Sequence, residues 1–181
     1  MDSESILKHH TENKIDLKKF RVSWFKNWRK LAVSDGIILK PGLAQLLKWL
    51  NSKKIPIAVA TSSNSEILNL CLEISKLGRN FKATVNGEEI KKGKPNPDIY
   101  LKAAKRIGLK PAECIAVEDS EAGAEAALAA GMLVFIVPDH QMPSPEVRKR
   151  AYRVVPSLSM VLAIIKSLHA EFQFEDEISS A

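Results

Sequence analysis

The stretch CIAVEDSEAG, residues 114–123, carries two adjacent carboxylates, Glu118 and Asp119, directly after an apolar run. Cys114 to Val117 reads as a short buried strand, and Glu121 to Ala130 as an alanine-rich helix closed by Gly131. Like charges at the end of a buried strand repel each other, and a cation relieves them. Oxygen donors without neighbouring histidine or cysteine favour Mg2+ over zinc. An acid pair answering the dipole of the following helix accounts for the same pattern without a metal.

Outward from this stretch the pattern alternates. Upstream, IPIAVA at 55–60 is a short strand, followed by the polar turn TSSNS and a helix through about Lys76. Residues 81–85 form a weaker strand, and 97–107 a helix closed by Gly108. Downstream, 133–137 is a strand, 153–155 an edge strand and 158–168 the last helix, with Val161, Leu162 and Ile165 on its stripe. Ahead of the alternating region, Leu17, Phe20, Trp24, Trp28 and Leu31 make a helical stripe, read as a packed core face. A linker at 34–42 leads to a second amphipathic helix carrying Leu43, Leu46, Leu47 and Leu50. Strands separated by helices of this length predict right-handed βαβ units, a parallel sheet and an α/β, Rossmann-like fold. Ligands of such sheets sit beyond the carboxyl ends of the strands. The domain division expected is a helical segment at 1–39, an α/β core at 40–170 and an acidic tail at 171–181.

Bulk properties narrow the classes. The 181 residues are 45% hydrophobic, enough for a core, and no apolar run reaches the length of a membrane span. MDSESILKHH lacks the basic-then-apolar order of a secretory leader, so a cytoplasmic location is expected. Cys71 and Cys114 sit in apolar runs at no metal-like spacing and read as reduced thiols. The net charge of +6 comes from scattered lysines without aromatic interleaving, which argues against a nucleic-acid partner.

Two further groups fall at strand ends. Thr61 and Ser62 follow IPIAVA and precede a helix, an arrangement that turns hydroxyls and free N–H groups on one phosphate-sized spot. An ordinary helix cap explains them equally well on their own. Lys94 lies in GKPNPD, where Gly93 and prolines stiffen the loop, and a lysine held there can balance charge on a phosphoryl oxygen. A surface lysine in a turn is the plainer reading.

Taken together, AVATSSNSE, GKPNPDIYLKAAKRIGL, CIAVEDSEAGAEAALAAGM and the VPD at 137–139 resemble the haloacid dehalogenase superfamily, in its branch of β-phosphoglucomutase-like phosphatases and mutases. The resemblance covers roughly residues 14–158. It implies that Thr61 holds the transferring phosphoryl group with Ser62 beside it. Lys94 would balance the phosphate's charge, and Glu118 and Asp119 would hold Mg2+ directly or through water. Ser120 and Gly123 would form the turn of that loop. The implied activity is Mg2+-dependent phosphatase or phosphomutase chemistry on a small phosphomonoester such as a sugar phosphate. The helix with Trp24 and Trp28 resembles part of the branch's helical cap.

The same resemblance calls for a DxDG motif on a central strand, whose first Asp attacks phosphorus and whose second protonates the leaving oxygen. No Asp stands two residues from another Asp in this chain, and Asp35-Gly36 follows a helix rather than a strand. Met1-Asp2-Ser3-Glu4 echoes the residues that follow the motif. The expectation is a chain that starts after the nucleophile with a shortened cap; truncation, a misplaced start codon and a pseudoenzyme each account for it. Such a chain is expected to be weakly active or inactive, or to serve as a phosphate-binding or regulatory subunit completed by a partner. A vacancy is expected between the strands ending at Ala60 and Val117, to be closed, or covered by a partner or by self-association.

Overall fold

The computed structural model describes residues 15–139 and 141–179, and side chains through residue 171. The Met1–Glu4 echo lies outside the described residues. The chain's contacts divide it into two compact units, 1–38 and 39–181.

In the first unit the helix α1, Leu17–Asp35, starts where the Asp16 carboxylate accepts the N–H groups of Lys18 and Lys19 at 3.0 and 3.1 Å. It ends at Gly36, whose φ of 81° is open to glycine. Trp28 stacks with Trp24 and Phe25 at 6.1 and 5.9 Å. The stripe does not behave as the packed face expected of it. Phe20, Trp24 and Leu31 are all exposed, and ring stacking along one helix is what holds the aromatics.

The second unit follows the alternating pattern: α2 (Leu43–Ser52), β1 (Ala58–Ala60), α3 (Ser65–Ser75), β2 (Ala83–Val85), α4 (Asp98–Ile107), β3 (Ile115–Glu118), α5 (Glu121–Ala129), β4 (Leu133–Ile136), α6 (Pro145–Arg150), β5 (Arg153–Val154) and α7 (Leu158–Ser179). All strand pairing is parallel, in the orders β1-β2 and β3-β4-β5. Two differences from the sequence reading stand out. The six-residue α6 was not anticipated; it begins at the Ser144-Pro145 signal, where the Ser144 hydroxyl accepts the Val147 N–H. The tail expected from 171 is instead helical to Ser179, for no glycine or proline interrupts 158–179.

Register explains how the layers form. Ala58, Ala60 and Val85 face one side, as do Ala116, Val134 and Ile136, and there they meet α4 and α5 in a single apolar cluster. Glycine and alanines let α5 lie close to the sheet, with Ala124, Ala126 and Ala127 fully buried. On the opposite side Phe135 and Val137 pack under α2 and α7 through Leu46, Leu158 and Val161. Those two helices meet at Gly42, whose φ is 88° and where a Cβ would stand 2.5 Å from the Ser159 nitrogen. Between the strands where a vacancy is expected, the described residues show no backbone hydrogen bond: β1 and β3 belong to two separate sheets.

Candidate functional site

The carboxyl ends of β1 and β3 open on one cavity of about 420 Å³, lined by Lys40, Thr61, Ser62, Lys94, Glu118 and Asp119 among others. Residues 61, 94 and 118, far apart in sequence, are brought together because three separate strand-to-helix connections end on the same edge of the sheets.

Glu118 is the hub. Its Oε1 accepts the Lys94 ammonium at 2.5 Å and the phenol of Tyr100. Its Oε2 accepts the Asp119 N–H and the Ser120 hydroxyl, each at 3.2 Å. The side chains of Lys94 and Glu118 are only 12% and 7% exposed, so the pair is buried. Removing one partner of such a pair costs roughly 3–5 kcal/mol, because the other is left as an uncompensated buried charge. Burial first, and then the Glu118 charge, raise the Tyr100 phenol well above the usual tyrosine range, so it remains a proton donor to Glu118. Tyr100 also touches Lys94, whose Nζ lies 3.4 Å from its oxygen and 5.0 Å from its ring centroid. Gly123 has a packing role here rather than the turn role expected of it. It lies in the first turn of α5, where a Cβ would run into the Glu118 carboxylate.

The Lys94 ammonium also reaches the Ala60 carbonyl at 3.3 Å. Its protons are therefore divided among a carboxylate, a phenol and a carbonyl. An incoming phosphate oxygen would displace one of the two long contacts, to Ala60 or to Tyr100, while the ion pair holds the cation in place.

At the end of β1 the structure narrows the expectation. Thr61 donates its N–H to the Val85 carbonyl at 3.0 Å, and its hydroxyl oxygen accepts the Ser63 N–H at 3.1 Å. The N–H groups of Ser65 and Ile67 go to the Glu88 carboxylate and the Asn64 side chain. The first turn of α3 is thus capped from within, and the free N–H groups expected there are largely spent. What this end offers an anion is the hydroxyl proton of Thr61 and the exposed Ser62.

The acid pair divides its labour. Glu118 is committed through both oxygens, whereas Asp119 is exposed and opens on the cavity. Among the described residues no three His, Cys, Asp or Glu side chains converge as a metal site. The donor set suits Mg2+ held by Asp119, a phosphate oxygen and water, and does not suit a closed protein cage. Two lining or supporting residues were not singled out in the sequence. Tyr100 stands in the quoted KPNPDIY run, but a tyrosine at that spacing also fits an apolar helix stripe. Lys40, paired with Asp139 at 3.1 Å, sits in a linker that carries no motif.

Comparison with known proteins follows the same outline. The family described as hydrolase, haloacid dehalogenase-like hydrolase, matches residues 3–131. The chain is 35% identical to the "Probable pseudouridine-5'-phosphatase" of Drosophila melanogaster over 76% of this chain and 64% of that one. It is 40% identical to hexitol phosphatase A of Escherichia coli over 58% of this chain and 48% of that one. It therefore spans less than two thirds of the length of these relatives. A crystal structure of β-phosphoglucomutase from Clostridium difficile superposes with a TM-score of 0.70 at 26% identity, over 93% of this chain and 75% of that one.

Proposed function

We propose, from the premise that this chain belongs to the haloacid dehalogenase-like hydrolase family, that its cavity binds the phosphoryl group of a small phosphomonoester such as a sugar phosphate. The observation that carries this is the buried Lys94–Glu118 pair at 2.5 Å beneath a cavity also lined by Thr61, Ser62 and Asp119. The Thr61 hydroxyl donates to one phosphoryl oxygen and Lys94 neutralises another. Glu118, fixed by Tyr100 and Ser120, keeps the ammonium aimed. Asp119 would hold Mg2+, which when bound supplies Lewis-acid stabilisation of the phosphate's charge. The relatives named for phosphatase activity and the phosphoglucomutase fold support this substrate class. Cys71 and Cys114 as free thiols suit a cytoplasmic setting, and no helix among the described residues is long and apolar enough to cross a membrane.

Turnover needs a nucleophile and a proton donor for the leaving group. The acids that line the cavity are Glu118 and Asp119, and the first is already spent on Lys94 and Tyr100. The chain by itself is therefore proposed to bind phosphate better than it turns esters over. Calorimetry with inorganic phosphate and Mg2+ tests the site. Thr61→Val and Lys94→Met should each weaken binding roughly tenfold or more, the worth of about 1.5 kcal/mol for a hydrogen bond to a charged group. Unchanged affinity in both variants, each still folded by circular dichroism, would remove the site. Aryl phosphate hydrolysis above background by the wild-type chain would show that a nucleophile is present. A second reading, a phosphate-binding or regulatory subunit completed by a partner, is favoured by the unjoined edges of β1 and β3.

A further inference from the structure

We infer that Lys40 is a specificity residue of the cavity: it takes a second oxyanion, phosphate or carboxylate, at the far end of a phosphorylated substrate's carbon chain. The inference rests on the phosphate reading and adds a second end to it. Among the described residues two cations line the cavity, and they stand in opposite conditions. Lys94 is buried and committed to Glu118. Lys40 pairs with Asp139 at 3.1 Å, with side chains 38% and 49% exposed. A pair so open to water holds its partners weakly, so an incoming anion can take the ammonium from Asp139 at little cost. The Asp139 carboxylate itself shows that an oxyanion satisfies Lys40 there.

The backbone fixes where this lysine starts. Lys40, Pro41, Gly42 and Leu43 form a turn closed by the Leu43 N–H on the Lys40 carbonyl at 3.2 Å, with Gly42 at φ 88° and ψ −9°. These are the angles of a type II turn, in which proline sets the first corner and glycine suits the second. A long, flexible side chain is thereby carried on a rigid base.

Its place in the cavity is far from the phosphoryl end. Thr61 and Ser62 follow β1, whereas Asp139 follows β4, just after Val137, whose N–H donates to the Glu118 carbonyl at 2.7 Å. Both edges of β4 are taken, by β3 and by β5, and β1 lies beyond β3, where Lys94 bridges the Ala60 carbonyl and Glu118. With strands about 5 Å apart, the two ends stand on the order of 10 Å from each other. One phosphate cannot reach both; two oxyanions on one short carbon chain can. Val137 and Leu158 also line the cavity and offer that chain an apolar wall.

Calorimetry of the full chain at fixed free Mg2+ tests this with three ligands: butyl phosphate, the bisphosphate of butanediol, and butyl phosphate bearing a terminal carboxylate. Two equivalent ends alone favour the bisphosphate about twofold over butyl phosphate; a charge-assisted bond to Lys40 should raise that to about tenfold or more. The advantage should fall back to about twofold in Lys40→Met and grow in Asp139→Asn, where the competing carboxylate is gone. A carboxylate ligand favoured tenfold in the same Lys40-dependent way would make carboxylate the second group. No advantage for either doubly anionic ligand, or one that survives Lys40→Met or shrinks in Asp139→Asn, overturns the role of Lys40 and leaves the phosphoryl site standing. Failure of the wild type to bind butyl phosphate or inorganic phosphate at all removes the phosphoryl site, and this inference with it.

Discussion

Two glutamates are each gripped by side chains from residues 94–106, and their surroundings make them different devices. Glu118, with a side chain 7% exposed, takes Lys94 and Tyr100 at the floor of the cavity. Glu89, 24% exposed, takes Arg106 through both oxygens and Lys102 at 3.4 Å on the outer surface. Glu89 closes a capping box with Asn86 and ties the 87–89 turn to α4, while Lys102 also donates to its carbonyl at 2.7 Å. The outer cluster lies in reach of water. Solvent competes for every bond it makes, so it contributes order more than free energy. In the inner cluster the buried Lys94–Glu118 pair has no water to replace a partner that is lost.

The comparison can be broken by deletion. Glu118→Ala strands the Lys94 charge and should cost the most, roughly 3–5 kcal/mol of unfolding free energy by urea titration. A loss as small as that of a surface acid would mean the inner pair is solvated after all. Gly123→Ala presses a methyl on the same carboxylate and should cost about 1–3 kcal/mol, as overpacking does, and a neutral result would show that Glu118 has another place to go. Tyr100→Phe removes one donor but leaves Lys94, so about 1 kcal/mol is expected, with weaker phosphate binding as the companion readout. Glu89→Gln should be smallest, within about 1 kcal/mol at neutral pH.

Acid sharpens the contrast further. Hydrogen bonds from Arg106, foremost, and then the Asn86 N–H hold the Glu89 carboxyl at about 2, below the ordinary value of 4.5. A folded-state value below the unfolded one means that stability is present above the unfolded value and is lost as pH falls from 4.5 toward 2. Wild-type protein should therefore lose stability over that window more steeply than Glu89→Gln. Parallel slopes would show that Glu89 is not held as the structure has it.

Much of this was legible from the chain. The period-two and period-3.6 patterns place β3, β4 and α5 within a residue or two, because buried parallel strands and an alanine-rich helix leave strong signals. They also place the end of β1 at Ala60, while β1 starts three residues later than read. The site residues at strand ends follow from the same pattern plus charge. What the sequence does not carry is direction and distance. Nothing in EDS says that Glu118 turns inward to Lys94 while Asp119 faces out, since that depends on the room left by Gly123 five residues on. Helix caps are similarly silent: Glu88 spends the Ser65 N–H from 23 residues away. The exposed stripe of α1 shows the opposite failure, a correct periodicity whose covering surface no local pattern records.

One joint deserves a mechanical reading. Gly42 lies against the Ser159 backbone with no room for a methyl, and the residues next to this contact, Lys40 and Leu158, both line the cavity. The contact fixes the spacing of two walls supplied by distant stretches of chain. Any side chain inserted at position 42 would wedge Lys40 and Leu158 apart and widen the cavity from outside. In a binding assay the change would read as a ligand-contact mutation, although the glycine touches no ligand. The gauge of the cavity is set by a residue that carries no side chain at all.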